Sequence, residues 1–399
     1  MTDKAIVYWA SPVEIASLRN TAKNMVTNNL VKTRLILDEI LDNINLGDKV
    51  AVKVHVGEAL NTHYLRHDYV REVVEAIKSK GGTPTLIETH GRGNEYELLD
   101  ICDDYSVCVG HRRKTVDHDK IAHLHGYTES IVGATLKFID GEEGLEGKIV
   151  PIDGIHFKDV SVASGLFEFD KLVVISHFKG HPQAGFGGAL KQVGIGCVTK
   201  RNKFLAHMEN AYEVNPKKCD IAKCNKECIT ACPVNAIRMN GEKALINAYC
   251  FGCHLCVKAC PIKRAIKAPK MNETKDFVER FIDNVAAVLT FGPEKIRYIN
   301  FAFDITMICD CTPNPGMPVI PDLGIFGSSD PVAIDKACYD AEINAPELAI
   351  LNKEDKWKDP LPIGVEKFGA MMDIVKPYLQ FEAAVKDKIG STDYELIKI

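Results

Sequence analysis

Four cysteines at Cys250, Cys253, Cys256 and Cys260, the last followed at once by Pro261, constrain this chain more than any other feature. Thiols returning every third residue are suited to wrapping a metal centre, and they suit no regular pattern of core packing. A second set precedes them at looser spacing: Cys219, Cys224, Cys228 and Cys232, again followed by proline, Pro233. Eight of the fourteen cysteines of the 399-residue chain fall between Cys219 and Cys260. In a secreted protein such a density would mean disulfides, but this spacing is that of metal ligands. Met1 leads straight into the strand-like run Ala5 to Trp9 with no signal-peptide pattern, so a cytoplasmic location is expected. No apolar run approaches the roughly 18 residues that a membrane span needs, so no membrane partner is expected.

The downstream set matches the bacterial ferredoxin run C-x2-C-x2-C-x3-C-P without deviation. In that run three thiolates hold one [4Fe–4S] cluster and the fourth reaches a second. The upstream set is orthodox from Cys228 on and longer before it, and Asn240-Gly241 supplies a hairpin turn between the halves. Crossed ligation then assigns Cys219, Cys224, Cys228 and Cys260 to one cluster, and Cys250, Cys253, Cys256 and Cys232 to the other. Two [4Fe–4S] clusters are therefore expected, with a three-iron cluster as the competitor on the Cys219 side.

Charge separates the same segment from the rest. Residues 213–270 carry eleven Lys/Arg against four Asp/Glu, or +7, which leaves −12 of the chain's net −5 elsewhere. These cations either balance cluster charge or form a docking surface for an acidic electron-transfer partner, an acidic ferredoxin or a flavoprotein. No basic helix or aromatic–basic interleaving accompanies them, so nucleic acid is not expected as a partner.

Strand and helix alternate around the cysteine-rich segment. Val50–Val56 reads as a strand, His67–Lys80 as a helix with Val70, Val73, Val74 and Ile77 at helical spacing, and Thr83–Glu88 as the next strand. Lys171–Ser176 is apolar enough to be covered on both faces. Asp276–Leu289 is helical in period, Tyr298–Asp304 is strand-like, and Ser329–Asp340 predicts a helix with Pro331 in its first turn. The expected fold is α/β, a mainly parallel sheet flanked by helices, with an inserted two-cluster ferredoxin-type α+β domain. The expected boundaries are 1–212 and 271–345 for the α/β part, 213–270 for the insert and 346–399 for a helical tail.

A second constellation lies outside the insert. After Ser176 come His177, Lys179 and His181, then Gly180, Gly185, Gly187, Gly188 and Gly194 within fifteen residues, Lys191, and Cys197, with His207 sixteen residues beyond Lys191. Glycines at this density let backbone approach a ligand, and open α/β sheets bind ligands beyond the carboxyl ends of their strands. Cys309-Asp310-Cys311 follows another strand. With Cys197 it would supply three thiolates, for which His207 or Asp310 could be the fourth ligand, giving a third [4Fe–4S] cluster or another metal. Buried hydrophobic thiols are the alternative. Lys53, His55, Gly57 and Glu58 are expected at the same sheet edge. His111-Arg112-Arg113 is either an anion anchor or a solvated face, and Cys102, Cys108 and Cys338 are read as core or incidental thiols.

These pieces resemble the DUF362 family of iron–sulfur proteins: K-V-H-V-G-E (53–58), S-H-F-K-G-H (176–181), G-G-A-L-K-Q-V-G-I-G-C (187–197), C-D-C (309–311) and the segment 321–337. The resemblance covers roughly residues 50–345 and implies no settled activity. More faintly, H-P-Q-A-G-F-G-G-A-L-K (181–191) is similar to a segment of the nickel-pincer lactate racemase family. That likeness implies a covalent-cofactor lysine at Lys191, a nickel ligand at His207 and a catalytic histidine at His181. Gly187 replaces a serine of that pattern, and Cys197 and the C-D-C have no counterpart in it.

The function expected is an iron–sulfur redox protein whose insert passes electrons to or from a third site, where a small anionic molecule or a third cluster sits. There Lys179 and Lys191 would bind negative charge, and His177 and His181 would complete the catalytic set, His181 moving a proton. The alternatives are a pure electron carrier, a non-redox racemase or lyase related to the nickel-pincer enzymes, and a cluster- or metal-delivery protein.

Overall fold

The computed structural model describes residues 4–12, 28–92, 97–102, 105–109, 112–247, 249–349, 359–372 and 375–399. His111 lies outside them, and so do the side chains of Cys102 and Cys108. Among the described residues an eight-stranded sheet runs, edge to edge, through Tyr394–Lys398, Ala5–Ala10, Gly324–Ser328, Ile296–Ala302, Lys171–His177, Lys49–Lys53, Thr83–Glu88 and Leu136–Phe138. Gly324–Ser328 is antiparallel to both neighbours, and the other neighbouring pairs run parallel. The expected mainly parallel sheet is therefore present.

The central strand Lys171–His177 shows why both faces are covered. Successive side chains point to opposite faces, and here Leu172 and Val174 enter one apolar core while Val173 and Ile175 enter another. The first core takes the helices Ala189–Gly196, Thr274–Leu289 and Pro331–Ile343; the second takes Asn29–Ile40 and His67–Ser79. His67–Ser79 buries Val70, Val73, Val74 and Ile77, the apolar stripe of its sequence. Pro331 opens its helix behind Asp330, whose carboxylate accepts from the Val332 and Ala333 amides. No helix among the described residues is long and apolar enough to cross a membrane.

Residues 213–267 build a small layer of their own. Glu213–Val214 pairs with Ile266–Lys267, and Ile237–Asn240 pairs with Lys243–Ile246 across the turn at Gly241, whose φ is +61°. Two short helices, Glu227–Thr230 and Leu255–Ala259, complete it. Its apolar cluster is small: Tyr212, Cys228, Ile237, Ala244, Cys256 and Ile266, closed by Phe204 from outside.

The C-terminal residues correct the expectation of a wholly helical tail. After the helices Lys367–Met372 and Leu379–Lys386, Tyr394–Lys398 adds a strand parallel to Ala5–Ala10. Its burial is that of an edge strand, half-exposed along its length, so only a short, weak alternation marked it. The tail also braces the site: Gln380 Nε2 donates to the carbonyls of Ala184 (2.8 Å) and Phe186 (3.0 Å).

Candidate functional site

Lys53, Glu88 and His177 each close a parallel strand, and the chain leaving Ile296–Ala302 returns beside them as the loop 303–313. Beyond these strand ends lies a cavity of about 390 Å³. Its lining combines His55, His181, Lys191, His207, Cys309 and Cys311 with glycine backbone at 187, 188 and 196. Parallel strands deliver their last residues to a common edge, so a constellation scattered over 260 positions becomes one site.

Asp310 anchors it from beneath. The carboxylate is fully buried and accepts from His177 Nδ1 (3.0 Å) and Lys179 Nζ (2.9 Å). Burial alone would raise this carboxyl, but His177 and Lys179 outweigh it and hold the group well below the usual carboxylate range. The other nitrogen of His177 faces the Phe303 carbonyl at 2.7 Å. Both ring nitrogens thus have partners inside the protein, and Lys179 is committed to the same carboxylate. These two expected catalytic residues serve here as struts under the 309–311 loop.

Lys191 differs from them. It sits in the first turns of Ala189–Gly196, partly buried, with no hydrogen bond or ion pair among the described residues. Burial, followed by the nearby charge of Lys179, brings its amine down to about 7. His181 accepts at Nδ1 from the Gln183 (3.2 Å) and Ala184 (2.9 Å) amides, so its neutral ring carries the proton on Nε2. His207 does the reverse: its Nδ1 faces the Lys203 carbonyl, which leaves Nε2 with a lone pair. Burial is the main cause that pushes both imidazoles down, His181 well below its ordinary value and His207 to about 3. The two rings flank one cavity with opposite proton placement.

Further charges line the cavity in buried pairs. Lys53 Nζ donates to Glu88 Oε1 (2.7 Å), and His55 Nδ1 lies 3.1 Å from Glu88 Oε2. Arg112 Nε donates to Glu58 Oε2 (3.0 Å) and its Nη2 to the Cys311 carbonyl (3.2 Å). Lys203, drawn down to about 8 chiefly by burial, donates to Thr89 Oγ1 (2.7 Å). Arg92 Nη1 is buried without a hydrogen-bond partner among the described residues. The lining holds six cationic side chains, Lys53, Arg92, Arg112, Lys179, Lys191 and Lys203, against Glu58 and Glu88.

The expected three-thiolate set is not assembled. Cys197 ends its helix inside the apolar core, fully buried, and burial pushes its thiol up to about 11. It is absent from the cavity lining, whereas His181, Cys309 and Cys311 hold ligand atoms within 4.8 Å of one another. Cys309 and Cys311 are joined as a disulfide. His207 lines the cavity outside that group. Cys338 is a buried core thiol, as expected.

The eight cysteines of 219–260 are free and divide into two groups. After burial, the Cys228 thiol is affected most by Cys260, Cys224 and Cys219, and the Cys256 thiol by Cys250, Cys253 and Cys232. A small cavity of about 20 Å³ is lined by Cys232, Cys250, Cys253 and Cys256. Backbone amides point at the sulfurs: Ala236 N lies 3.2 Å from Cys232 Sγ and Ala244 N lies 3.5 Å from Cys219 Sγ. Grouping, free thiols and amide donors all suit the ligand sets that the spacing implied.

Sequence reasoning missed Glu88, Arg92, Lys203 and Asp335. A charged residue closing a buried strand, as Glu88 does, was a readable signal. Asp335 was not readable, because it acts across the fold: its carboxylate in Pro331–Ile343 accepts from the Ala189 (2.7 Å) and Leu190 (2.9 Å) amides. It thereby caps the helix that carries Lys191.

The chain matches, at 11% identity, TM-score 0.32 and 68% of its length, a solved protein from Thermotoga maritima, of which it covers 50%. It also matches the lactate racemase apoprotein from Thermoanaerobacterium thermosaccharolyticum at 10% identity and TM-score 0.33, over 82% of this chain and 54% of that one. The chain thus spans about half the length of the solved proteins it matches. No curated protein matches it. The family described as "Domain of unknown function (DUF362)" matches residues 50–340, well over half of the sequence, and the chain belongs to that family.

Proposed function

We propose that this protein is an iron–sulfur redox protein in which residues 213–270 form a ferredoxin-type unit that exchanges electrons with a small anion bound in the cavity. The observation that carries the reading is the two-sided helix Lys200–His207. Lys203 and His207 line the cavity, while Phe204, between them, packs under Gly252 and stacks with Tyr212 at 6.1 Å. Tyr212 in turn holds His254 (3.0 Å), beside Cys253. Bound to the two cysteine groups, [4Fe–4S] clusters would supply one-electron transfer. The group of Cys232, Cys250, Cys253 and Cys256 shares a small cavity with Tyr212 and His254, the residues that lead to Phe204; the group of Cys219, Cys224, Cys228 and Cys260 is taken as the outer one. Exposed Lys217, Lys218, Lys223, Lys226, Lys263 and Arg264 lie in the segments that carry the outer group, a charge pattern suited to an acidic electron-transfer protein. In the cavity, Arg92 and Lys191 bind the anion and His181 donates to it from Nε2.

The test is an iron and sulfide count on anaerobically purified protein with electron paramagnetic resonance of the reduced state. About eight irons per chain and two interacting four-iron signals are expected; iron-free protein would sink the proposal. A second reading, a non-redox acid–base conversion, is favoured by the opposite proton placement on His181 and His207. Nickel, or a covalent adduct on Lys191 in the intact mass, would support that reading over the first.

A further inference from the structure

We propose that Cys309 and Cys311 are a redox-active disulfide/dithiol pair that turns the one-electron traffic of the cysteine-rich unit into a two-electron step inside the cavity. The electron source rests on the function proposed above; the pair itself rests on geometry. The two sulfurs are joined, line the cavity and lie within 4.8 Å of a ring nitrogen of His181. A metal held by His181, Cys309 and Cys311 is the other chemistry this trio invites, and two features oppose it. His181 spends Nδ1 on two backbone amides, so Nε2 is a donor with no lone pair to offer. With Lys53, Arg112 and Lys179 paired to Glu88, Glu58 and Asp310, Arg92 and Lys191 remain as cations of the lining unpaired among the described residues, a field that disfavours a metal dication and stabilises thiolate.

Two electrons, delivered singly through Tyr212, Phe204 and the helix Lys200–His207, break the S–S bond. One sulfur takes a proton, which solvent supplies through the Lys191 ammonium, and becomes a thiol. The other stays a thiolate held by the His181 Nε2–H and the surrounding cations. Asp310, pinned between the two cysteines by His177 and Lys179, keeps both sulfurs facing the cavity in either state. Re-forming the S–S bond then passes two electrons to the bound anion, a two-electron acceptor, and returns the thiol proton through the Lys191 amine.

The experiment uses the anaerobic, cluster-containing protein. Iodoacetamide is applied before and after reduction with titanium(III) citrate, and the 309–311 peptide is read by mass spectrometry. Alkylation of both cysteines only after reduction is expected. The Cys309→Ser/Cys311→Ser variant should take up two fewer electrons per chain in reductive titration, with unchanged iron and sulfide. Alkylation of both cysteines before reduction would overturn the pair. So would one zinc, nickel or extra iron per chain that protects them in both states and is lost from the double variant. An iron-free protein whose pair still opens with a phosphine reductant would support the pair and remove its electron source, which separates the two failures.

Discussion

Asp310 and Lys191 both stand at one cavity, yet they answer opposite questions. Asp310 has its charge matched twice, and removing the carboxylate leaves Lys179 and His177 buried without it. Breaking one side of a buried ion pair costs roughly 3–5 kcal/mol, so Asp310→Ala should lower stability by about that much in chemical denaturation. Lys191 has no partner among the described residues, and its amine sits near 7 against 10.5 in the unfolded chain. The folded state then binds fewer protons than the unfolded one between those values, so its stability rises with pH across that window. Lys191→Met should raise the melting temperature at pH 7 and remove that pH dependence. Anion binding should run the other way: inorganic phosphate or a small carboxylate should bind more tightly as pH falls through about 7, an increment that Lys191→Met abolishes in calorimetric titration.

The helix Ala189–Gly196 is short, and its start is held from another helix by Asp335. Burial raises the Asp335 carboxyl to about 6 in spite of the amides it accepts from. Deleting a capping carboxylate costs about 0.5–2 kcal/mol, so Asp335→Ala should destabilise by that amount and weaken anion binding through a displaced Lys191. Neighbouring glycines give a sharper contrast. A Cβ at Gly188 would stand 2.3 Å from Asp335 Oδ1, whereas at Gly187 the nearest atoms are the flexible Lys191 Cδ at 3.6 Å and Lys179 Cε at 3.7 Å. Gly188→Ala should therefore lower the melting temperature clearly more than Gly187→Ala. The density of glycine pointed to close approach at this segment, but only the fold says to what: at Gly188 it is a capping carboxylate, and at Gly180 it is the Met307 carbonyl, 2.4 Å from an added Cβ.

At the scale of the molecule, what could be read in advance followed local period and spacing. The body of His67–Ser79 was legible because burial there repeats at three to four residues, and Thr83–Glu88 because Gly81-Gly82 ends that helix just before a short apolar run. The spacing of the eight cysteines implied two sets of four. The partners of Cys309 and Cys311 were not, because Cys197, His181 and His207 arrive from different turns of the chain and residue type alone cannot rank them. The seven residues of the small apolar cluster around 213–267 are a thin core, and such layers depend on bound metal. Removing iron with a chelator should make 213–270 the first segment cut by protease while the eight-stranded sheet stays protected, a result read by mass mapping of the fragments.

A Cβ at Gly252 would overlap the Phe204 ring at 2.2 Å, so the cysteine-rich layer is keyed to one aromatic of the host. That lock limits how freely the layer could be traded as a cassette between relatives. A chimera that imports residues 213–270 from a sequence with a larger side chain at position 252 would tilt the Lys200–His207 helix. The host would then lose the alignment of Lys203 and His207, although every cysteine had been transplanted intact.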